Sequence, residues 1–286
     1  MKRRELAFLC LLCVSASIFF TSPAVAGGEG ILASRVAPAK NILDPSSAVW
    51  NKIKPFEVAM AEQILAVPND PAPAVGEISV KAVHNGKILS VLLEWKDATK
   101  NTRVVTDEFP DQVAVEIPNV YKADALPSYM MGEPGGRVTI LLWKASFQND
   151  VENGMPSTQS LYPNTNFDIY PDQVLKQEDS KPYAGAIAVG NPVSVHGKSP
   201  VMDMMAEGYG SLTAKPTQRA LGRGKWSNGK WRVVIAYPMA SDGENSPKLA
   251  PGGVTAVAFA VWDGASQERG ARKGQSADWI TLRLQK

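Results

Sequence analysis

The sequence predicts a mainly β protein, an antiparallel β-sandwich with a few short helices and long loops. Three observations lead there. Apolar runs of about strand length recur along the chain, each alternating or built on β-branched residues. Turn residues bound them, such as His84-Asn85-Gly86 and Gly252-Gly253. Helical periodicity is scarce.

Taken in order, the chain opens on an export signal. Lys2-Arg3-Arg4 forms its basic end, Leu6 to Phe20 its apolar stretch and Ala24-Val25-Ala26 its small-residue cleavage site, so residues 1–26 are expected to be removed and the protein to be periplasmic. The apolar run is short for a membrane span, and no later segment is long and apolar enough for one. Arg3-Arg4 invites a twin-arginine reading, but its neighbours fit that pattern poorly and the long apolar run suits the general secretory route. Cys10 and Cys13 both lie in the signal, where Leu11 and Leu12 occupy positions a lipoprotein signal fills with small residues. The mature chain then has no disulfide, no iron–sulfur ligand and no C-x-x-C-H for covalent haem attachment.

Residues 27–76 read as an N-terminal extension, with a capped turn or short helix at Asp44–Trp50. Residues 77–286 read as the sandwich domain. Its strands are expected at 77–83, 88–95, 112–117, 137–143, 231–237 and 254–262, with a last short one from Trp279. Ser199-Pro200 followed by Val201 to Glu207 reads as a capped short helix that packs Met202, Met204 and Met205 on one face. Between Ala145 and Val189 the composition is rich in Asn, Asp, Pro, Gln and Ser without periodicity, which reads as a long functional or partner-contacting loop.

Charge and motifs exclude several classes. Cleavage removes Lys2, Arg3, Arg4 and Glu5 from totals of 30 basic and 28 acidic residues, so the mature chain is near neutral and lacks the basic footprint of a nucleic-acid binder. Two histidines and no mature cysteine argue against a zinc site; His84 reads as a solvated hairpin-tip residue and His196 as a loop residue. There is no phosphate-binding glycine loop, no G-x-S-x-G elbow and no identifiable carboxylate pair for glycoside hydrolysis.

A resemblance supplies a more specific expectation. Leu92-Leu-Glu-Trp-Lys-Asp-Ala-Thr99, Phe109-Pro-Asp-Gln-Val-Ala-Val115, Met131-Gly132, Gly190-Asn-Pro192 and Ala206-Glu-Gly-Tyr-Gly-Ser-Leu-Thr213 stand in order. Trp226, Trp231-Arg-Val-Val234 and Val257-Ala-Phe-Ala-Val-Trp-Asp-Gly264 with Lys273 follow. Together they resemble the haem-b-binding gamma subunit of periplasmic molybdopterin oxidoreductases, the group that includes ethylbenzene dehydrogenase, dimethylsulfide dehydrogenase, chlorate and selenate reductases and nitrite oxidoreductase.

That resemblance implies that 77–286 is a haem-b-binding sandwich and that the chain is a non-catalytic electron-transfer subunit. It implies one non-covalent haem b with Met131 and Lys273 as iron ligands, and Arg269, Arg272 and Lys198 as partners for its propionates. Its implied partners are a molybdopterin alpha subunit, an iron–sulfur beta subunit and a soluble cytochrome c. The residues alone leave rivals standing. Lys273 beside Arg269 and Arg272 also reads as a solvated lysine, and Met130 would point opposite to Met131 in an extended segment. Tyr129, Trp143, Phe259 and Trp262 read either as walls of a macrocycle or as sandwich core. Pro238-Met239 stands where the family pattern carries an arginine. A secreted carbohydrate-binding sandwich without a cofactor is the alternative from a different class.

Overall fold

The structure, a computed structural model, describes residues 30–38, 41–166, 186, 191 and 199–286. The signal read at 1–26, His196, Lys198 and residues 167–185 and 187–189 of the expected loop lie outside them. In chain order the elements are β1 (Ile31–Arg35), a 3-10 turn (Ala48–Lys52), β2 (Phe56–Ala61), β3 (Glu77–His84), β4 (Ile88–Lys96), β5 (Gln112–Pro118) and β6 (Val138–Lys144). Then come α1 (Ala145–Asn153), α2 (Thr158–Leu161), β7 (Val201–Ala206), β8 (Thr213–Ala214), β9 (Leu221–Trp226), β10 (Lys230–Pro238), β11 (Val254–Trp262), β12 (Gly274–Ser276) and β13 (Ile280–Leu284).

These strands build the expected antiparallel sandwich. One layer runs β9-β10-β4-β3, and the other runs β8-β7-β6-β5-β11. β11 serves both, pairing with β13 over Val254–Val257 and with β5 over Ala258–Trp262. β2 does the same, with Phe56–Ala59 on β3 and Met60–Ala61 on β12. Among the described residues the exception to antiparallel pairing is β1, which runs parallel to β13 and to β3. The segment read as an N-terminal extension therefore supplies β1 and β2, and its Trp50, fully buried, covers Val83, Leu92 and Val234 on the outer face of the first layer.

Period-two alternation sorts the side chains between two destinations. On β5, Val113, Val115 and Ile117 enter the core between the layers, while Ala114 faces outward. Three indoles anchor that core. Trp143 and Trp231 meet edge-on at 4.9 Å between ring centroids, and Trp95 stacks on Trp231 at 6.3 Å. Trp143 and Phe259 belong to this cluster. They are sandwich core, and of the four aromatics weighed as walls it is Trp262 that packs in the separate outward-facing cluster.

Three local expectations are corrected. Residues Val201–Ala206 form a strand, not a helix, because the Ser199-Pro200 cap signal is overridden by full pairing with β6, from Trp143↔Val201 to Val138↔Ala206. Met202 and Met204 accordingly share the outward face, and Met205 lies on the other. The stretch after Lys144 is not structureless, since its described part holds α1 and α2. His84 is fully buried at the end of β3, not solvated: its Nε2 lies 2.8 Å from the Gln285 carbonyl, its Nδ1 accepts from the Gly86 N–H, and burial lowers its pKa.

Candidate functional site

The outward face of the second layer is unusually apolar for an exterior surface. Ala114, Val138, Ile140, Met202, Met204, Ala206, Ala260 and Trp262 form one buried cluster on it, with Met131 and Trp279 packed against it. The β5–β11 pairing aligns Ala114 with Ala260 and Glu116 with Ala258, so the middle of this face is floored by small side chains. A floor of alanines leaves depth that larger residues would fill.

Two loops rise over the floor. The first carries Met131, which takes the left-handed conformation with φ 73°, followed by Gly132 at 74°. Hydrogen bonds from Gly132 N–H to the Ser128 carbonyl (2.9 Å) and from Gly208 N–H to the Met131 carbonyl (2.8 Å) hold it there. Met131 is thus in a turn and not an extended segment, so the two neighbouring methionines are not simply related by strand alternation. Gly132 is required twice over: it has positive φ, and a Cβ there would stand 2.5 Å from the Gly136 carbonyl oxygen and 3.2 Å from that of Ala206. Gly132→Ala is expected to cost about 2–4 kcal/mol of stability, read from the urea midpoint, because left-handed strain and overpacking add. A loss below about 0.5 kcal/mol would show that the turn is not rigid.

The second loop runs from Asp263 to Lys273 between β11 and β12. Glu268 organises it, its Oε2 accepting from Asp263 N–H and its Oε1 from Ala74 N–H, both at 2.7 Å. Trp262 donates its indole N–H to the Gly270 carbonyl at 3.0 Å, and Gln63 donates to Ala271 at 2.9 Å. These bonds deliver Lys273 onto the apolar face, with Nζ 5.4 Å from the centre of the Trp262 ring. Burial lowers the Lys273 pKa, and the neighbouring Glu116 partly opposes that shift.

Glu116 links the two loops and is a residue that sequence reasoning missed. Burial pushes its carboxyl up to about 8, against the charge of Lys273 and a hydrogen bond from the Met131 backbone N–H. Its Oε1 is buried without a hydrogen-bond partner. An acid at the strand position facing Ala258 was the available signal, but outward strand positions are ordinarily solvated, which hid it. A folded pKa above the ordinary value of 4.5 means that the stability contribution of Glu116 is full below pH 4.5 and is lost as pH rises through about 8. The cofactor-free chain should therefore lose on the order of 4 kcal/mol over that interval from this group. Glu116→Gln should flatten the loss; an unchanged slope of urea midpoint against pH would contradict it.

The two arginines are placed differently. Arg269 is exposed, stacked 4.3 Å from the centre of the Phe109 ring and donating to the Gln267 carbonyl. Arg272 is half-buried next to Lys273, and its Nε is buried with no hydrogen-bond partner.

The sequence profile of the ethylbenzene dehydrogenase family matches residues 47–274, which include both loops and the whole floor. The chain belongs to this family. Within reach of it, the chain is 25% identical to the chlorate reductase subunit gamma of Ideonella dechloratans, covering 84% of this chain and 79% of that one. It is 24% identical to the dimethylsulfide dehydrogenase subunit gamma of Rhodovulum sulfidophilum, over 84% and 75%. It is also 23% identical, over 82% and 66%, to a Haloferax mediterranei protein whose name describes it, provisionally, as a respiratory nitrate reductase heme subunit. A much looser likeness, TM-score 0.44 at 14% identity over 89% of this chain and 95% of that one, links this family member to a family 9 carbohydrate-binding module from Caldicellulosiruptor kristjanssonii. It is too distant to say anything about a ligand. Among the described residues, no helix is long and apolar enough to cross a membrane.

Proposed function

We propose that this chain is a periplasmic gamma-type subunit that carries one non-covalent haem b and relays electrons within a molybdopterin oxidoreductase complex. The observation that carries the reading is the convergence of Met131 and Lys273, from loops far apart in sequence, on one apolar face with an alanine floor. That donor set and floor suit a macrocycle. A thioether and a neutral amine could both serve as iron donors, the alanines would leave room for a flat apolar ring, and the unpartnered Arg272 Nε would offer a donor to a propionate. Arg269 is the second propionate candidate, reached by leaving its stack on Phe109.

The haem, when bound, supplies a one-electron couple. The chain's own residues do the rest. Met131 presents a soft donor that favours reduced iron. Lys273 must be neutral to donate its lone pair, and its burial already weakens its hold on the proton. Trp262 and the Met202–Met204 pair keep water from that side of the face. Electrons would pass between an iron–sulfur beta subunit and a soluble cytochrome c, with substrate chemistry confined to the molybdopterin alpha subunit. The names of the gamma-subunit and heme-subunit relatives support this assignment.

The deciding experiment is a pyridine haemochrome assay on full chain purified from cells supplied with haem. A b-type spectrum at one haem per chain, extractable into acidified organic solvent, is expected. A c-type spectrum or a colourless preparation rules the reading out, and the colourless result would favour a cofactor-free sandwich. Gentle purification at native expression level should also recover the chain with iron–sulfur and molybdopterin partners; repeated recovery of a lone monomer would count against the complex.

A further inference from the structure

Three strand ends meet at one rim of the sandwich, and each brings an aspartate. Asp97 follows β4, Asp111 precedes β5 and Asp263 follows β11. Each offers a carboxylate oxygen, and the three oxygens lie within 4.8 Å of one another. Asp111 is fully buried and Asp97 is 5% exposed. Among the described residues none of the ion pairs involves any of the three, so this is a concentration of acid without a basic partner.

The rim is built to hold them together. Asp111 Oδ1 accepts from the Gly264 N–H (3.0 Å), and its Oδ2 accepts from the Asn101 N–H (2.8 Å) and from the Trp231 indole (2.9 Å). Gly264 is obligatory, since a Cβ there would collide with the Phe109 carbonyl oxygen. Asp263 is half-buried, and its two oxygens accept from Ser266 N–H and Oγ, each at 3.2 Å. Asp97 Oδ1 accepts from Thr99 N–H (3.0 Å) and Oγ1 (3.3 Å), with the Trp95 indole also favouring its ionised form. Its Oδ2 is different: it is buried and accepts no hydrogen bond of full geometry, the nearby Trp95 indole N–H being likewise without one.

A buried acceptor left unpaired costs roughly 1–3 kcal/mol. Crowding two more carboxylates beside it without a compensating charge costs more. A single cation among the three oxygens removes both penalties, and all-oxygen donors with no histidine or cysteine select a hard ion. We propose that Asp97, Asp111 and Asp263 form a divalent-cation site of the Ca2+ class, closed by solvent water on the half-exposed Asp263 side. The ion would tie the β4–β5 connection to the first residue of the Asp263–Lys273 loop, and so stiffen that loop from its far end. The site stands independently of the haem assignment, because none of its ligands lies on the apolar face.

The test uses the full chain without haem, stripped with a chelator. Tb3+ is the probe, since Trp231, hydrogen-bonded to Asp111, is placed to sensitise its luminescence. Saturable Tb3+ emission near one ion per chain, displaced by Ca2+, is expected, together with a rise in thermal midpoint on adding Ca2+. Asp263→Asn, at a half-exposed position, should keep the fold by circular dichroism and weaken Tb3+ and Ca2+ binding at least about tenfold through loss of one charged ligand. Emission that is absent, or that survives unchanged in both Asp263→Asn and Asp97→Asn, overturns the proposal. So does a wild-type thermal midpoint that is indifferent to Ca2+ and rises on acidification, because the carboxylates would then be sharing protons instead.

Discussion

Lys273→Ala is expected to convert the low-spin spectrum of the haem-loaded chain to a high-spin one while leaving the sandwich folded. The fold survives because the lysine leaves no stranded charge: Glu116, its partner, has a pKa of about 8 and is predominantly neutral at pH 7 already. On the proposed assignment the spectrum would change because a strong σ-donor is lost from the iron. Met131→Ala should act the same way, whereas Met130→Ala removes packing worth at most a few kcal/mol and should leave the bands in place. Acidification gives a second reading of the same bond. If Lys273 is the ligand, as proposed, it must bind as the neutral amine, and a free ammonium has a pKa near ~10.4, so lowering the pH should displace it and raise the high-spin fraction before the fold is lost. A Lys273→Ala variant with wild-type bands and wild-type pH response would place that residue outside the iron's ligand sphere.

Lys215→Met should be the most damaging single substitution for stability, at about 3–5 kcal/mol, or on the order of a 10 °C fall in thermal midpoint. Asp203 is fully buried between the layers, and Lys215, 5% exposed, pairs with it at 2.8 Å. Lys215 also donates to Thr139 Oγ1 at 2.9 Å and to Tyr237 Oη at 3.2 Å, and Thr139 in turn donates to Asn119 at 2.7 Å. Burial opposes charge on both partners, raising the Asp203 pKa and lowering that of Lys215, so each depends on the other to stay ionised. Methionine keeps the volume and removes the charge, stranding the aspartate. Adding Asp203→Leu should recover most of the loss, since an apolar pair of similar size can replace a buried ion pair. Equal urea midpoints for Lys215→Met and wild type would show that the pair contributes no coupling.

The strands were legible because they depend on short-range order. The alternation of Val113, Val115 and Ile117 against Ala114, or the β-branched run in Trp231–Tyr237, marks a half-buried extended segment wherever it is placed. The reading failed where distant pairing overruled a local signal. Ser199-Pro200 is a sound helix start, yet six consecutive residues of β6 offered the backbone of 201–206 a complete set of strand partners. His84 reads as a turn residue until the C-terminal Gln285 carbonyl is found lying on its ring nitrogen.

The candidate site divides the same way. Its residue types and their order, including Met131-Gly132, the Trp-Asp-Gly turn and Lys273 in the loop beyond it, are properties of the sequence and suffice for the family. Their meeting is not. The alanine floor exists because β5 and β11 pair in one register and not its neighbour, and a slip of β11 by one residue would turn Ala258 and Ala260 into the core and Phe259 outward, away from Ala114. Glu116 becomes a buried acid, Arg272 Nε an unpartnered donor and the three rim aspartates a cluster through that same folding. Burial and proximity arise from contacts between segments distant in sequence, so local periodicity could specify each strand but only the closed sandwich could decide which side chains face one another.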